Sequence, residues 1–296
     1  MAAAANLTKS EHIDVTAREI DFVTRFERNW EHLRAIMGIM RPIRKQPGAV
    51  LKSKEASITL QSGTVAEGDE IPYSQAAVTE KEYEEMTIEK YAKAVSIEAI
   101  KEHGYDVAVG MTDDAFLMEL QNKVTKKFYT YLNTGSLTSS ETTWQRALAM
   151  AKGKVLNKFK TMHRNVTEVV GFVNILDLYD YLGDAPITVQ SAFGFQYIQN
   201  FMGYRVIFLL SEEEIAQGKV IATPVENINL YYVDPSTSDF VRAGLSYTTS
   251  GETNLIGFHS QGDYRHAVTE SFAIMGMVLF AEYLDGIAVI TVTPGA

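Results

Sequence analysis

The residues most able to do chemistry are six histidines, His12, His32, His103, His163, His259 and His266. None stands at the spacing of a zinc-ligand set, and no His-Glu-x-x-His occurs. His259 and His266 lie seven apart around Gly262. That pair admits a metal site, but solvated loop histidines are the reading taken. With no cysteine, the chain has no disulfide framework, thiolate ligand or thiol nucleophile. Its glycines form neither a G-x-G-x-x-G nor a G-x-x-x-x-G-K-[ST] phosphate cradle, and no G-x-S-x-G elbow is present. Carboxylates gather in Glu80-Lys81-Glu82-Tyr83-Glu84-Glu85. A glycosidase needs two carboxylates facing each other across a cleft, whereas a run along one segment reads as a solvated or partner-facing edge. Residues 145–164 carry six basic residues and no acidic one. Phosphate contact is one use for them. The polar face lacks the interleaved aromatics of a nucleic-acid site, so a solvated face comes first and a neighbouring copy's acidic segment second. No catalytic residue, metal or cofactor is assigned.

Bulk properties narrow the class. The chain has 296 residues, 46% hydrophobic and 22% charged, enough for one large or two moderate folded units. A net charge of −10 argues against a protein whose main task is gripping nucleic acid. It keeps a concentrated protein soluble, and it suits an inner surface that encloses DNA without adhering to it. The segment 1–15 lacks the basic stretch and apolar run of a secretory signal. The most apolar run, 271–281, is too short for a membrane span of ~20 residues. No membrane partner is expected.

Several elements can be read from periodicity. Residues 16–37 form an amphipathic helix whose apolar stripe is Val23, Phe26, Trp30, Leu33 and Met37. So narrow a stripe must dock on something, either its own domain or, as a mobile arm, a neighbour or scaffold. A short helix over 96–102 is closed by Gly104. The clearest helix runs over 112–132, with Thr112 as its cap, Asp113 and Asp114 at its positive end, and Phe116, Leu120, Val124 and Phe128 along one face. Residues 136–141 read as a polar loop and candidate boundary, and 144–162 as a second amphipathic helix. Strands are expected over 168–173, 204–210, 219–223 and 228–233, with a helix over 175–182 and a helical turn opening at Ser211. The tail from Phe240 onward is strand-rich.

Between 48 and 96 the pattern changes to a long, polar, two-stranded hairpin, with a turn-rich tip and a return through 86–95. Residues 41–54 hold five basic residues and no acidic one, while 67–90 hold eight acidic and two basic. A two-stranded ribbon is marginal alone in water, so this one needs a partner surface, and the split charge suggests a charge-complementary one. Its candidate assembly residues are Lys52, Lys54, Glu67, Gly68, Asp69, Glu70, Ile71 and Pro72.

The order of these elements resembles the major capsid proteins of tailed bacteriophages with the Hong Kong 97 fold. The resemblance rests on EGDEIPYS over 67–74, MTIEKYAKAVSIEAIKEHG over 86–104, YLNTG over 131–135 and SFAIMGMVLFAEYLDGIAVITV over 271–292. It implies an α+β fold with five parts. These are an N-terminal arm (1–46), an extended β-hairpin loop (47–95), a peripheral domain whose first part holds a long spine helix (96–138), an axial α/β domain (139–233) and the second part of the peripheral domain (234–296). It also implies self-assembly into hexamers and pentamers of an icosahedral virion enclosing double-stranded DNA without sequence-specific binding, from subunits made in the bacterial host cytoplasm. The implied partners are other copies of the chain, a separate scaffolding protein and a portal, with a decoration protein as an optional addition. About fifteen residues precede the first helix, too few for the fused scaffolding segment that some members carry, so the resemblance implies either a separate scaffolding protein or an already processed chain. Lys52 and Lys54 lie in the loop, but no partner asparagine for a cross-link is identified. Two rivals stay open: an encapsulin-like nanocompartment shell, and a small-molecule enzyme or binding protein built on 168–233.

Overall fold

The computed structural model describes residues 17–38, 42–183, 188–192, 195–251 and 253–293. In chain order, α1 (Ala17–Met37) leads to a two-residue strand β1 (Ile43–Arg44) and a ribbon of β2 (Val50–Thr59) and β3 (Gln75–Glu85). Next come β4 (Glu89–Ser96), α2 (Ile97–His103), a π-helical turn (Asp106–Met111) and α3 (Thr112–Leu132). Then follow β5 (Leu137–Glu141), α4 (Trp144–Thr161), β6 (Val169–Asn174), α5 (Ile175–Leu182), β7 (Gln190–Ala192), β8 (Phe195–Gln199), β9 (Val206–Leu210), β10 (Lys219–Pro224) and β11 (Ile228–Tyr232). The chain closes with α6 (Ser238–Arg242), β12 (Ile256–Asp263), β13 (Val268–Met275), β14 (Met277–Ala281) and β15 (Ala288–Val292).

A seven-stranded mixed sheet, in the order β5-β15-β10-β6-β9-β8-β7, is the centre of the molecule. Its middle strands β6 and β9 are buried at every position, and apolar at all but Asn174, because both faces are covered. The alternation of side chains sorts them strictly. Phe172, Phe208, Ile221 and Val289 point to one core with Phe128, Tyr129 and Leu132 of α3. Val173, Ile207, Val220 and Ile290 point to a second core under Trp144, Leu148, Val155 and Phe159 of α4. The hydroxyl of buried Tyr204 donates to the Leu148 carbonyl at 2.6 Å, tying α4 to the strand edge.

Two smaller sheets flank this centre. One is β12-β13-β4; the other is β1-β11-β14. The strand β4 therefore leaves the ribbon, although 86–95 was expected as the hairpin's return. The return is β3 instead, and β4 pairs with β13 from Glu89↔Met275 to Ser96↔Val268. Met86, fully buried with Leu51, Val233 and Phe280, is the pivot where the chain passes from one to the other.

The expected loop 136–141 is the strand β5, parallel to β15. As an edge strand paired on one side only, it tolerates Thr and Ser. Thr112 is no cap, because the π-helical turn runs straight into α3. The Thr112 hydroxyl donates back to the Ala108 and Val109 carbonyls, at 2.7 and 3.0 Å. β7 and β8 had no counterpart in the sequence reading. The boundary expected after 138 falls within β5, and β15, from the segment expected as peripheral, completes the sheet of 139–233.

Phe172 stands between the rings of Phe128 and Phe208, at centroid distances of 5.9 and 5.6 Å. Phe172→Ala is expected to cost about 3–5 kcal/mol. Chemical denaturation would register this as a lower midpoint at unchanged slope.

Candidate assembly surface

The strands β2 and β3 pair antiparallel from Val50↔Glu85 to Thr59↔Gln75, with a register shift between Val50 and Lys52. This bulge brings Leu51 into the small base core of Met86, Val233 and Phe280. Backbone bonds Gly48 N–H to Met86 O and Met86 N–H to Ala49 O, both 2.9 Å, close the base.

Lys52 lies between Glu80 and Glu82 on the facing strand, 2.6 Å from each. Their hydrogen bonds hold its ammonium above the ordinary lysine range. In register, Lys54 faces Glu80 and Lys52 faces Glu82. Part of the split charge is thus answered inside the chain, where Lys52 of the basic strand meets Glu80 and Glu82 of the acidic one.

Glu67, Gly68, Asp69, Glu70, Ile71 and Pro72 form the far tip, all exposed. The backbone turns at Gly68, whose φ of +92° suits glycine, and the Asp69 N–H donates to Ala66 O at 3.1 Å. Leu60, Ile71 and Tyr73 are 74%, 70% and 92% exposed. The ribbon is therefore a projecting arm with uncovered apolar groups on it. Lys52 sits toward its base, away from the tip, so the candidate ribbon residues do not form one cluster.

Other candidates for chemistry resolve into local bonds. His266 shares a hydrogen bond with Asp263, which raises the imidazole's affinity for a proton. His259 Nδ1 lies 3.6 Å from Glu19 Oε1. Among the described residues no group of three or more metal-capable side chains occurs, and no helix is long and apolar enough to cross a membrane. A cavity of about 880 Å³ is a groove between α3 and the end of β9. Its charged lining is largely paired: Lys126 lies 3.7 Å from Glu213, and Lys123 and Lys127 reach Glu89 at 3.8 and 2.5 Å.

The stripe of α1 is buried at Val23, Phe26, Trp30, Leu33 and Met37, and it docks on this chain's own core. Phe22 stacks on Phe258 of β12 at 4.1 Å. Two buried glutamates on the same side, overlooked in the sequence, fix the helix lengthwise. Glu19 accepts from the Ser260 N–H at 2.5 Å and the Thr248 hydroxyl at 2.7 Å. Glu27 accepts from the Leu255 N–H at 3.0 Å and the Thr253 hydroxyl at 3.1 Å. The available signal was their interval of eight, which places both beside Val23 on the apolar face. At the far end Arg205 donates to the carbonyls of Ala35 and Ile36, at 3.1 and 3.2 Å, and pairs with Glu168. These cationic donors satisfy the helix's last carbonyls.

A half-buried ionic node completes the clamp. Asp113, at the start of α3, receives Arg18 of α1 at 2.6 and 2.8 Å and Lys93 of β4 at 2.6 Å. Burial alone would raise the carboxyl's pKa, but the bonds from Arg18 and Lys93 outweigh it and leave it below the ordinary range. A depressed folded-state pKa contributes stability above the unfolded value of ~3.9, and that contribution is lost as pH falls through the folded value. Asp113→Asn, which leaves two cations without their anion, is expected to cost about 3 kcal/mol at pH 7. The gap to wild type should shrink below about pH 4. Urea denaturation of both proteins across this range tests it.

Comparison with known proteins comes from shape alone: no protein-family model matches the chain, and no curated protein matches its sequence. Its structure is similar to the mature capsid of bacteriophage PhiM1, with a TM-score of 0.55 and 8% identity, covering 88% of this chain and 87% of that one. It is similar to the capsid of cyanophage A-1(L), with a TM-score of 0.51 and 12% identity, covering 97% and 99%. It is also similar to a structure of Microbacterium phage Oxtober96, with a TM-score of 0.51 and 15% identity, covering 88% and 91%. Projecting ribbon, long spine helix, three-stranded flank and mixed central sheet together give this chain the Hong Kong 97-type fold of tailed-bacteriophage capsid proteins.

Proposed function

We propose that this chain is a major capsid protein, which self-assembles into hexamers and pentamers of an icosahedral phage head enclosing double-stranded DNA. The observation that carries the reading is the ribbon 50–85. A monomer has no use for a two-stranded arm with Leu60, Ile71 and Tyr73 uncovered. A shell, in which each subunit straps the next, covers them. In this reading 96–138 and 234–296 form the peripheral part, 139–233 the axial part, and the tip Glu67–Pro72 reaches the neighbouring copy. A separate scaffolding protein and a portal complete the assembly. The net charge of −10 suits a wall that holds DNA without binding it tightly.

Deletion of 64–74 removes the tip while leaving the base core of Leu51 and Met86. The variant is expected to stay a folded monomer by sedimentation and circular dichroism and to give no shells by negative-stain microscopy. Normal particles from it would refute the strap. Wild-type particles carrying a protein cargo in place of DNA would favour the nanocompartment.

A further inference from the structure

The exposed face of α4 has a composition that nothing in its own chain explains. Arg146, Met150, Gly153, Leu156 and Lys160 follow one another at helical spacing and all face solvent. A mid-helix glycine costs stability relative to alanine. A Cβ at Gly153 would meet nothing within 4 Å, so packing within the chain does not require its absence. Met150 and Leu156 add uncovered apolar surface beside it. Residues 145–164 carry six positive charges, of which Arg146 and Lys158 face Glu141 and Asp285, leaving four. Among the described residues Lys152 donates to the carbonyls of Gly203 and Met202, at 2.5 and 3.5 Å, and lies over the Tyr204 ring at 5.7 Å, while Lys154 donates to the Thr138 carbonyl at 2.8 Å. Both ammonium groups are held in place by neutral groups.

The ribbon has the complementary composition. Residues 50–85 carry eight acidic and three basic residues, a net −5. Ile58, opposite Ala76, and Val78, opposite Ala56, are exposed toward the outer end of the strands. The paired strands extend ~33 Å at ~3.3 Å per residue. Helix α4 extends ~27 Å at ~1.5 Å per residue. Charge, apolar content and length therefore match, and the glycine leaves room for a second backbone to come close.

We infer that the strands β2–β3 of one copy lie along the exposed face of α4 of a second copy, with Gly153 beneath the ribbon backbone. The inference rests on the ribbon being an inter-subunit strap and names its seat. The chain's lack of cysteine makes the test direct. The full-length double variant Val78→Cys with Leu156→Cys, mildly oxidised after assembly, should give a ladder of covalent oligomers on a non-reducing gel, and each single variant should give none. In a second arm, Arg146→Glu with Lys160→Glu should lower particle yield at least tenfold, and adding Glu84→Lys with Glu85→Lys, which leaves the Lys52–Glu80–Glu82 group intact, should restore it. If particles form but neither ladder nor rescue appears, the seat is overturned, and the strap stands provided that deletion of 64–74 still abolishes assembly. If that deletion assembles normally, both fall. If the reversed-charge particles assemble normally but retain less DNA, the face serves nucleic acid and the inference is overturned.

Discussion

The group of rings formed by Phe128, Tyr129, Phe172 and Phe208 is the contact on which the other parts of the body depend. It joins the longest central helix to the central sheet. The same apolar cluster continues through Phe22, Phe26 and Phe258 to α1 and the flanking sheet. Because both faces of the central sheet are covered, its strands cannot slip by one residue without exchanging the two cores. That constraint fixes α3 on one side and α4 on the other.

Two kinds of surface result. In the body, most large apolar side chains are enclosed, and the buried carboxylates Glu19, Glu27 and Asp113 each enter with partners. The ribbon reverses this economy: its apolar side chains are outside, and its stability comes from backbone pairing, one cross-strand charge group and a four-residue base core.

Much of this was legible in the sequence where a period was strong. Helices α1, α3 and α4 repeat apolar residues at three to four, and β6, β9, β10 and β11 are short apolar runs bounded by polar turns. The misses have physical causes. β5 is polar because it is an edge, and its existence depends on β15, about 150 residues away. β4 alternates like a ribbon strand, and only pairing with β13 tells it apart. The π-helical turn before α3 follows no apolar period. Ribbon and basic helix were both visible, but that Lys52 finds its carboxylates on the adjacent strand required the register.

That cross-strand group has a thermodynamic consequence. With Lys52 held between Glu80 and Glu82, a shift of the pairing would remove the ammonium from both carboxylates, so the strands keep their alignment before any other molecule arrives. In the proposed shell the arm meets the neighbouring copy already shaped. Little conformational entropy is then left to lose on contact, and the heat-capacity change of association reflects only the surfaces that come together, without the added signature of coupled folding.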